Sequence, residues 1–242
     1  MISFVFPIYK QEHVLERSIS ILHEFLEEKY HESYEIIICN DGSPDNCSKI
    51  AHDLSRKHNN VRVIGYEQNR GRGHALKYSG LHVRGDYLIC MDCDLIKDDY
   101  IEYIEIMIAK LKQYDVVIAS RFLQESGSKR KWKRKVISKC YRILVKILFP
   151  GFYVTDPDVG FKGFKKQCFN YTNLMTNLNG PSWDLQFLVN ASMSGYEIHE
   201  FPFRYIEDYE NSTVNLFFTS FIEFLGMLYI RVTTTISKKI VF

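Results

Sequence analysis

The chain has 242 residues, 46% hydrophobic and 25% charged, enough for one sizeable core and too ordinary in composition for a disordered or collagen-like protein. A formal net charge of +2 gives no global case for nucleic acid as a partner. Six cysteines (Cys39, Cys47, Cys90, Cys93, Cys140, Cys168) scattered through a chain too large to need disulfide staples, with a strand-like start in place of a signal peptide, point to a reducing, cytoplasmic setting.

Ser3–Ile8 is a short apolar run ending around Pro7 and reads as a buried strand. Val14, Leu15, Ile19, Leu22, Phe25 and Leu26 then recur at helical spacing. Glu35–Cys39 is a second strand, closed by the turn-rich segment from Asn40 to Asn46. A helix over Cys47–Lys57, a strand over Val61–Gly65 and a helix opening after Gly73 follow. Tyr87–Met91 is a fourth strand, Tyr100–Leu111 a helix and Val116–Ala119 a fifth strand. Beyond residue 120 the pattern loosens. A basic run (Lys129, Arg130, Lys131, Lys133, Arg134, Lys135) precedes an amphipathic segment, Val136–Phe149. Later come a helix over Trp183–Met193, a strand-like Ile198–Tyr205 and an apolar-rich stretch from Val214.

Strands alternating with helices predict an α/β fold with a mainly parallel sheet flanked by helices. The expected organisation is one domain over residues 1–210 and a C-terminal amphipathic helical appendage over 211–242. The most apolar stretch, Val214–Ile230, is interrupted by Glu223 and falls short of the roughly 18 residues a spanning helix needs. Contact with a membrane surface, packing on the sheet and packing against a second copy of the chain all fit the two amphipathic segments.

In a parallel sheet, ligands lie beyond the carboxyl ends of the strands. The polar clusters fall there: Asp41 after strand two, Asn69–Gly73 after strand three, and Asp92-Cys93-Asp94 after strand four. Two close carboxylates repel unless a cation or a proton compensates. A hard divalent ion accepts oxygen ligands from such carboxylates and from a diphosphate together. Cys90 and Cys93 form a CxxC inside an apolar run with no second pair at zinc-site spacing, which argues against a metal or redox knuckle.

The segments Phe6-Pro7-Ile8-Tyr9, Asn40 to Asp45, Asn69-x-Gly71-x-Gly73-x-Ala75, Asp92-Cys93-Asp94-Leu95, Ser120-Arg121, Asp156 with Gly160-Phe161-Lys162, and Trp183-Asp184-Leu185 occur in this order. Together they resemble the family 2 inverting glycosyltransferases of the GT-A fold, and above all the dolichyl- and polyprenyl-phosphate sugar synthases. The resemblance runs over roughly residues 2–210.

It implies a nucleotide-sugar donor (UDP- or GDP-linked), a divalent metal (Mn or Mg), and a polyprenyl phosphate or glycan acceptor. Pro7, Tyr9, Glu12 and Asp41 would belong to the nucleotide site, as would Gly71, Gly73, Asp92 and Cys93. Asp94, with Asp92, would hold the metal, and Arg121 and Arg134 would neutralise phosphate oxygens. Asp156 and Asp184 are rival candidates for the catalytic base. Where the family often has Asn-Glu after the first-strand tyrosine, Lys10-Gln11 stand here, with Glu12 next. Ile96 and the segment 208–213 also depart from the lipid-phosphate mannose synthases. Three readings follow: sugar transfer to polyprenyl phosphate with inversion, extension of a hydroxyl acceptor in surface polysaccharide synthesis, and an inactive nucleotide-binding relative. A sugar-phosphate nucleotidyltransferase is disfavoured because Pro7-Ile8-Tyr9-Lys10 is not the glycine- and arginine-rich loop that activity expects.

Overall fold

The apolar runs become strands of one seven-stranded sheet: β1 (Ile2–Ile8), β2 (Tyr34–Asp41), β3 (Val61–Tyr66), β4 (Tyr87–Met91), β5 (Val116–Ser120), β6 (Phe161–Lys165) and β7 (Ile198–Pro202). The computed structural model describes residues 1–31, 33–95, 101–127, 132–205 and 216–240, without the side chains of 133–135, 216–218 and 236–240. Strand order is β3-β2-β1-β4-β6-β5-β7. β6 runs antiparallel to β4 and β5, and the other strands are mutually parallel, as the alternating pattern predicted.

Helices α1 (Glu12–Tyr30), α2 (Cys47–Lys57), α3 (Arg72–Gly80), α4 (Ile101–Leu111), α5 (Trp132–Leu148), α6 (Lys166–Leu174), α7 (Trp183–Met193) and α8 (Leu216–Ile240) surround the sheet. α1 buries Leu15, Ser18, Ile19, Leu22 and Leu26, one stripe at helical spacing. α7 is buried over Trp183–Ala191. Its ring contacts explain why: Trp183 stacks near Phe187 (centroids 5.1 Å), and Phe187 meets Phe164 at 5.0 Å and Phe169 at 5.3 Å.

The sequence reading missed β6 and α6. Lys162 lies in the middle of the β6 run, and a buried lysine breaks the apolar pattern by which a central strand is recognised.

The chain lays β1, β2 and β3 outward in one direction and then returns to place β4 on the other side of β1. A crevice opens where two such neighbouring strands send their connections apart. β1 pairs with β4 only as far as Val5↔Cys90. Pro7, which has no N–H to give a neighbour, lies just past that point. No helix among the described residues is long and apolar enough to cross a membrane. α8 packs against α5 and α7, so the C-terminal segment forms a wall of the molecule.

Candidate active site

The loops at the carboxyl ends of β1 and β2 are tied together. The Glu12 carboxylate accepts from the backbone N and Nδ2 of Asn46 (2.9 and 2.8 Å), and the Lys10 N–H donates to Ser43 Oγ at 2.7 Å. Tyr9 is 40% exposed beside these turns, with Lys10 Nζ 5.3 Å from its ring centroid.

Asp41, at the end of β2, is buried and holds the loop after β3. Its Oδ1 accepts from Arg70 N (2.8 Å), and its Oδ2 accepts from Gly71 N and Asn69 Nδ2 (both 3.0 Å). Gly71 sits at φ +90°, a conformation glycine adopts without penalty, and this turns its N–H onto Asp41.

Two residues expected at the nucleotide site, Gly73 and Cys93, are packed in the interior. Gly73 is buried, and a Cβ there would lie 2.4 Å from Cβ of Trp183 and 2.7 Å from the Asn179 carbonyl. Its missing side chain lets α3 approach α7 and the Asn179 carbonyl. Cys93 is also buried. Its carbonyl accepts from Ser18 Oγ at 2.6 Å, and burial pushes its thiol well above the usual range, as an inert core cysteine requires. All the cysteines are free, and Cys90 is likewise buried.

Asp92 leaves β4 with its side chain 39% exposed. Arg72 connects it to α7: Nε donates to Asp92 Oδ1 (3.0 Å) and Nη1 to Asp184 Oδ2 (2.7 Å). The second oxygen of Asp184 accepts from Lys162 Nζ at 2.5 Å, and that lysine also donates to the Val159 carbonyl at 2.6 Å. Burial pushes the Asp184 carboxyl up, but Arg72 and Lys162 more than reverse this and hold it below the ordinary range. A buried Asp184 with both oxygens paired to cations is a poor proton acceptor.

Asp156 is in the same condition. It is 1% exposed, and Arg121 grips it with Nε to Oδ2 and Nη2 to Oδ1, both 2.8 Å. The Arg121 N–H adds a third bond at 2.9 Å. Glu200 accepts from the backbone N–H groups of Thr155 and Asp156 (2.8 and 3.1 Å), fixing the loop that carries the pair. Burial raises the Asp156 carboxyl, and Arg121 outweighs that and lowers it.

These groups surround one cavity of about 370 Å³ lined by Arg72, Asp92, Arg121, Asp156 and Asp184, together with Tyr141 and Arg142 from α5, Asp158, and Glu223 from α8. Asp158, Tyr141, Arg142 and Glu223 were not singled out from the sequence. The signal lay in the spacing of Ser138, Tyr141 and Arg142, which share one face of α5. Arg142 lies 4.2 Å over the Phe122 ring. The side chain of Arg134 lies outside the described residues, as do residues 128–131, Ile96 and 208–213.

Among the described residues no three His, Cys, Asp or Glu side chains gather as a closed metal cage. The donor set still fits a hard ion at an open site. Asp94 is exposed in the 3-10 turn Cys93–Leu95, and Asp92 Oδ2 makes no hydrogen bond among the described residues. Two carboxylates leave the remaining positions to phosphate oxygens and water, the usual arrangement for Mg²⁺ beside a diphosphate.

The family described as Glycosyl transferase family 2 matches residues 3–170. The chain is 30% identical to Glycosyltransferase AglD of Haloferax volcanii over 204 residues, 83% of this chain and 32% of the relative. It is 29% identical to dolichyl-phosphate beta-glucosyltransferase ALG5C of Trichomonas vaginalis over 218 residues, 85% of this chain and 64% of that protein. The dolichyl-phosphate beta-glucosyltransferase of Saccharomyces cerevisiae is 29% identical over 224 residues, covering 85% and 67%. The chain thus spans about a third of the first relative's length and somewhat under two thirds of the second's.

Among solved structures, glucosyl-3-phosphoglycerate synthase from Mycobacterium tuberculosis, in complex with Mn²⁺, UDP and phosphoglyceric acid, superposes with a TM-score of 0.73 at 18% identity. The match covers 96% of this chain and 78% of that one. Mannosyl-3-phosphoglycerate synthase from Rubrobacter xylanophilus gives 0.71 at 15% identity, covering 94% and 72%. At these identities the likeness concerns the fold.

Proposed function

The chain belongs to glycosyl transferase family 2 and has the GT-A fold, and from that premise we propose that it moves a sugar from a nucleoside-diphosphate donor to a polyprenyl phosphate, with inversion. One observation supports the choice of acceptor: the two carboxylates that the sequence marks as rival bases are already committed to cations, Asp156 to Arg121 and Asp184 to Arg72 and Lys162. A hydroxyl acceptor needs a base to take its proton. A phosphate monoester, whose second pKa is near ~6, is largely dianionic at neutral pH and needs none. The names of the Trichomonas and yeast relatives agree with this reading and make glucose the first sugar to test.

Displacing a nucleoside diphosphate from C1 builds positive charge on the sugar ring and negative charge on the leaving group. Asp94 and Asp92 would hold a divalent ion, which supplies charge neutralisation at the leaving diphosphate. Arg72 positions Asp92 from one side while fixing Asp184 on the other. Arg121, oriented by its bidentate contact with Asp156, is a fixed positive wall for the acceptor's phosphate. Pro7, Tyr9, Glu12 and the Asp41-held loop frame the crevice proposed for the nucleotide. α5 and α8 close the cavity over the acceptor and would place it at a membrane surface.

The test is a donor screen. UDP- and GDP-sugars are offered with Mn²⁺ and with either polyprenyl phosphate or a glycan hydroxyl acceptor. A lipid-linked sugar is the expected product; transfer to the hydroxyl acceptor alone would move the assignment to polysaccharide extension.

A further inference from the structure

Most charges around the cavity answer one another. Arg72, Arg121 and Arg142 line it, with Lys162 directly behind Asp184. Asp92 and Asp184 meet Arg72, Asp184 also meets Lys162, and Asp156 meets Arg121. Two lining carboxyls stand outside this scheme: Asp158, on the loop before β6, and Glu223, on α8. Among the described residues neither is in an ion pair; Asp158 Oδ1 accepts from the neutral Tyr141 hydroxyl at 3.2 Å.

The sign of the cavity depends on these two groups. With both neutral, four cations face three carboxylates, and the cavity attracts an anion. With both ionised the balance reverses, and a phosphate dianion is repelled. We infer that Asp158 and Glu223, contributed by two different elements, are the carboxyls that stay protonated around the cavity, keep it receptive to an anionic acceptor and donate a hydrogen bond to the acceptor's phosphate.

The surroundings support this. Facing Asp158 are Tyr141 and Arg142 from α5, Lys162 from β6, Asp184 from α7, Glu223 from α8 and Asp156 from its own loop, with Arg72 and Arg121 across the cavity. Burial, then Glu223 and Asp184, push the Asp158 carboxyl up to about 8, with Lys162 opposing. Burial and Asp184 push Glu223 up to about 7. The two carboxyls therefore hold their protons up to about neutral pH and surrender them in mildly alkaline solution, at a pH where the acceptor's own ionisation is complete.

The inference rests on the phosphate-acceptor reading, so its test uses direct binding as well as turnover. Calorimetric titration with a ten-carbon isoprenyl monophosphate, with Mg²⁺ and UDP present, is run from about pH 6.5 to about pH 9 on wild type, Asp158→Asn and Glu223→Gln. Asparagine and glutamine reproduce the neutral, donating form. Wild-type affinity is expected to fall about tenfold across that range, as loss of one charge-assisted hydrogen bond implies. Each variant is expected to flatten the profile, so that its affinity at about pH 9 exceeds that of wild type. Wild-type affinity independent of pH, or Asp158→Asn losing kcat at every pH while still melting like wild type, overturns the inference; the latter would make Asp158 an ionised base. Failure of wild type to bind the isoprenyl phosphate at any pH defeats the acceptor reading itself, and this inference with it.

Discussion

Gly160 lies so close to Asp92 that a Cβ at that position would stand 1.8 Å from the Asp92 Oδ2 and 2.4 Å from its Cγ. The Asp92 N–H donates to the Gly160 carbonyl at 3.1 Å, so the two residues are bound at the backbone while one makes room for the other's carboxylate. The carboxylate proposed for the metal thus owes its position to a glycine on the neighbouring, antiparallel strand connection.

Gly160→Ala is therefore expected to push the Asp92 carboxylate out of register with Arg72. Because the clash is with the end of a side chain, the protein folds, losing about 1–3 kcal/mol as overpacked sites do. Transfer activity falls much further than stability. Denaturant unfolding and the apparent metal affinity, measured side by side, check this; unaltered metal affinity in the variant would contradict it.

Arg72 is the second test of geometry. It joins the end of β4 to the start of α7, through Asp92 and Asp184. Arg72→Lys keeps the charge but has no planar fork to reach both carboxylates. The variant is expected to lose about 10²-fold in kcat, the scale of removing one preorganised electrostatic contact at a reacting centre. Steady-state kinetics at saturating donor provides the measurement.

Acid stability follows from the two buried pairs. Asp156 and Asp184 both titrate below the ordinary carboxylate range, because Arg121, Arg72 and Lys162 outweigh the cost of burial. Each contributes stability that is fully present above the unfolded pKa of ~3.9 and is lost as pH falls through the lower, folded pKa. Melting temperature should hold down to about pH 5 and drop steeply below about pH 4. Asp156→Asn leaves Arg121 buried without its partner, costs about 3–5 kcal/mol at neutral pH, and weakens the acid dependence. Thermal melts across pH on both proteins test this.

Much of this was legible from the chain alone. Strand ends marked by Asp41, the Asn69 loop, Asp92 and Arg121 were visible because parallel strands are continuous apolar runs that stop at polar turns. β6 was not, because Lys162 owes its burial to Asp184, a partner 22 positions away that no local pattern reveals. Gly73 carried a signal of close approach, and its contact with Trp183 was hidden because Trp183 lies far along the chain. Asp156 and Asp184 were recognised as important, but their pairing with arginine and lysine is a property of the folded site. The C-terminal helix was legible as amphipathic, but Glu223 reaches the cavity through the packing of α8 on α5 and α7, a tertiary contact that no local pattern reveals.

The most direct measurement is transfer of labelled glucose from its nucleotide donor to polyprenyl phosphate, followed as organic-extractable product with Mn²⁺ present and after chelation, in wild type and Asp94→Ala. Metal-dependent formation of an inverted, lipid-linked sugar is expected, abolished by the chelator and reduced at least about 10²-fold by the substitution. Product formation unaffected by Asp94→Ala would contradict the metal assignment. No lipid-linked product from any nucleotide sugar, with a hydroxyl acceptor glycosylated instead, would contradict the proposed reaction.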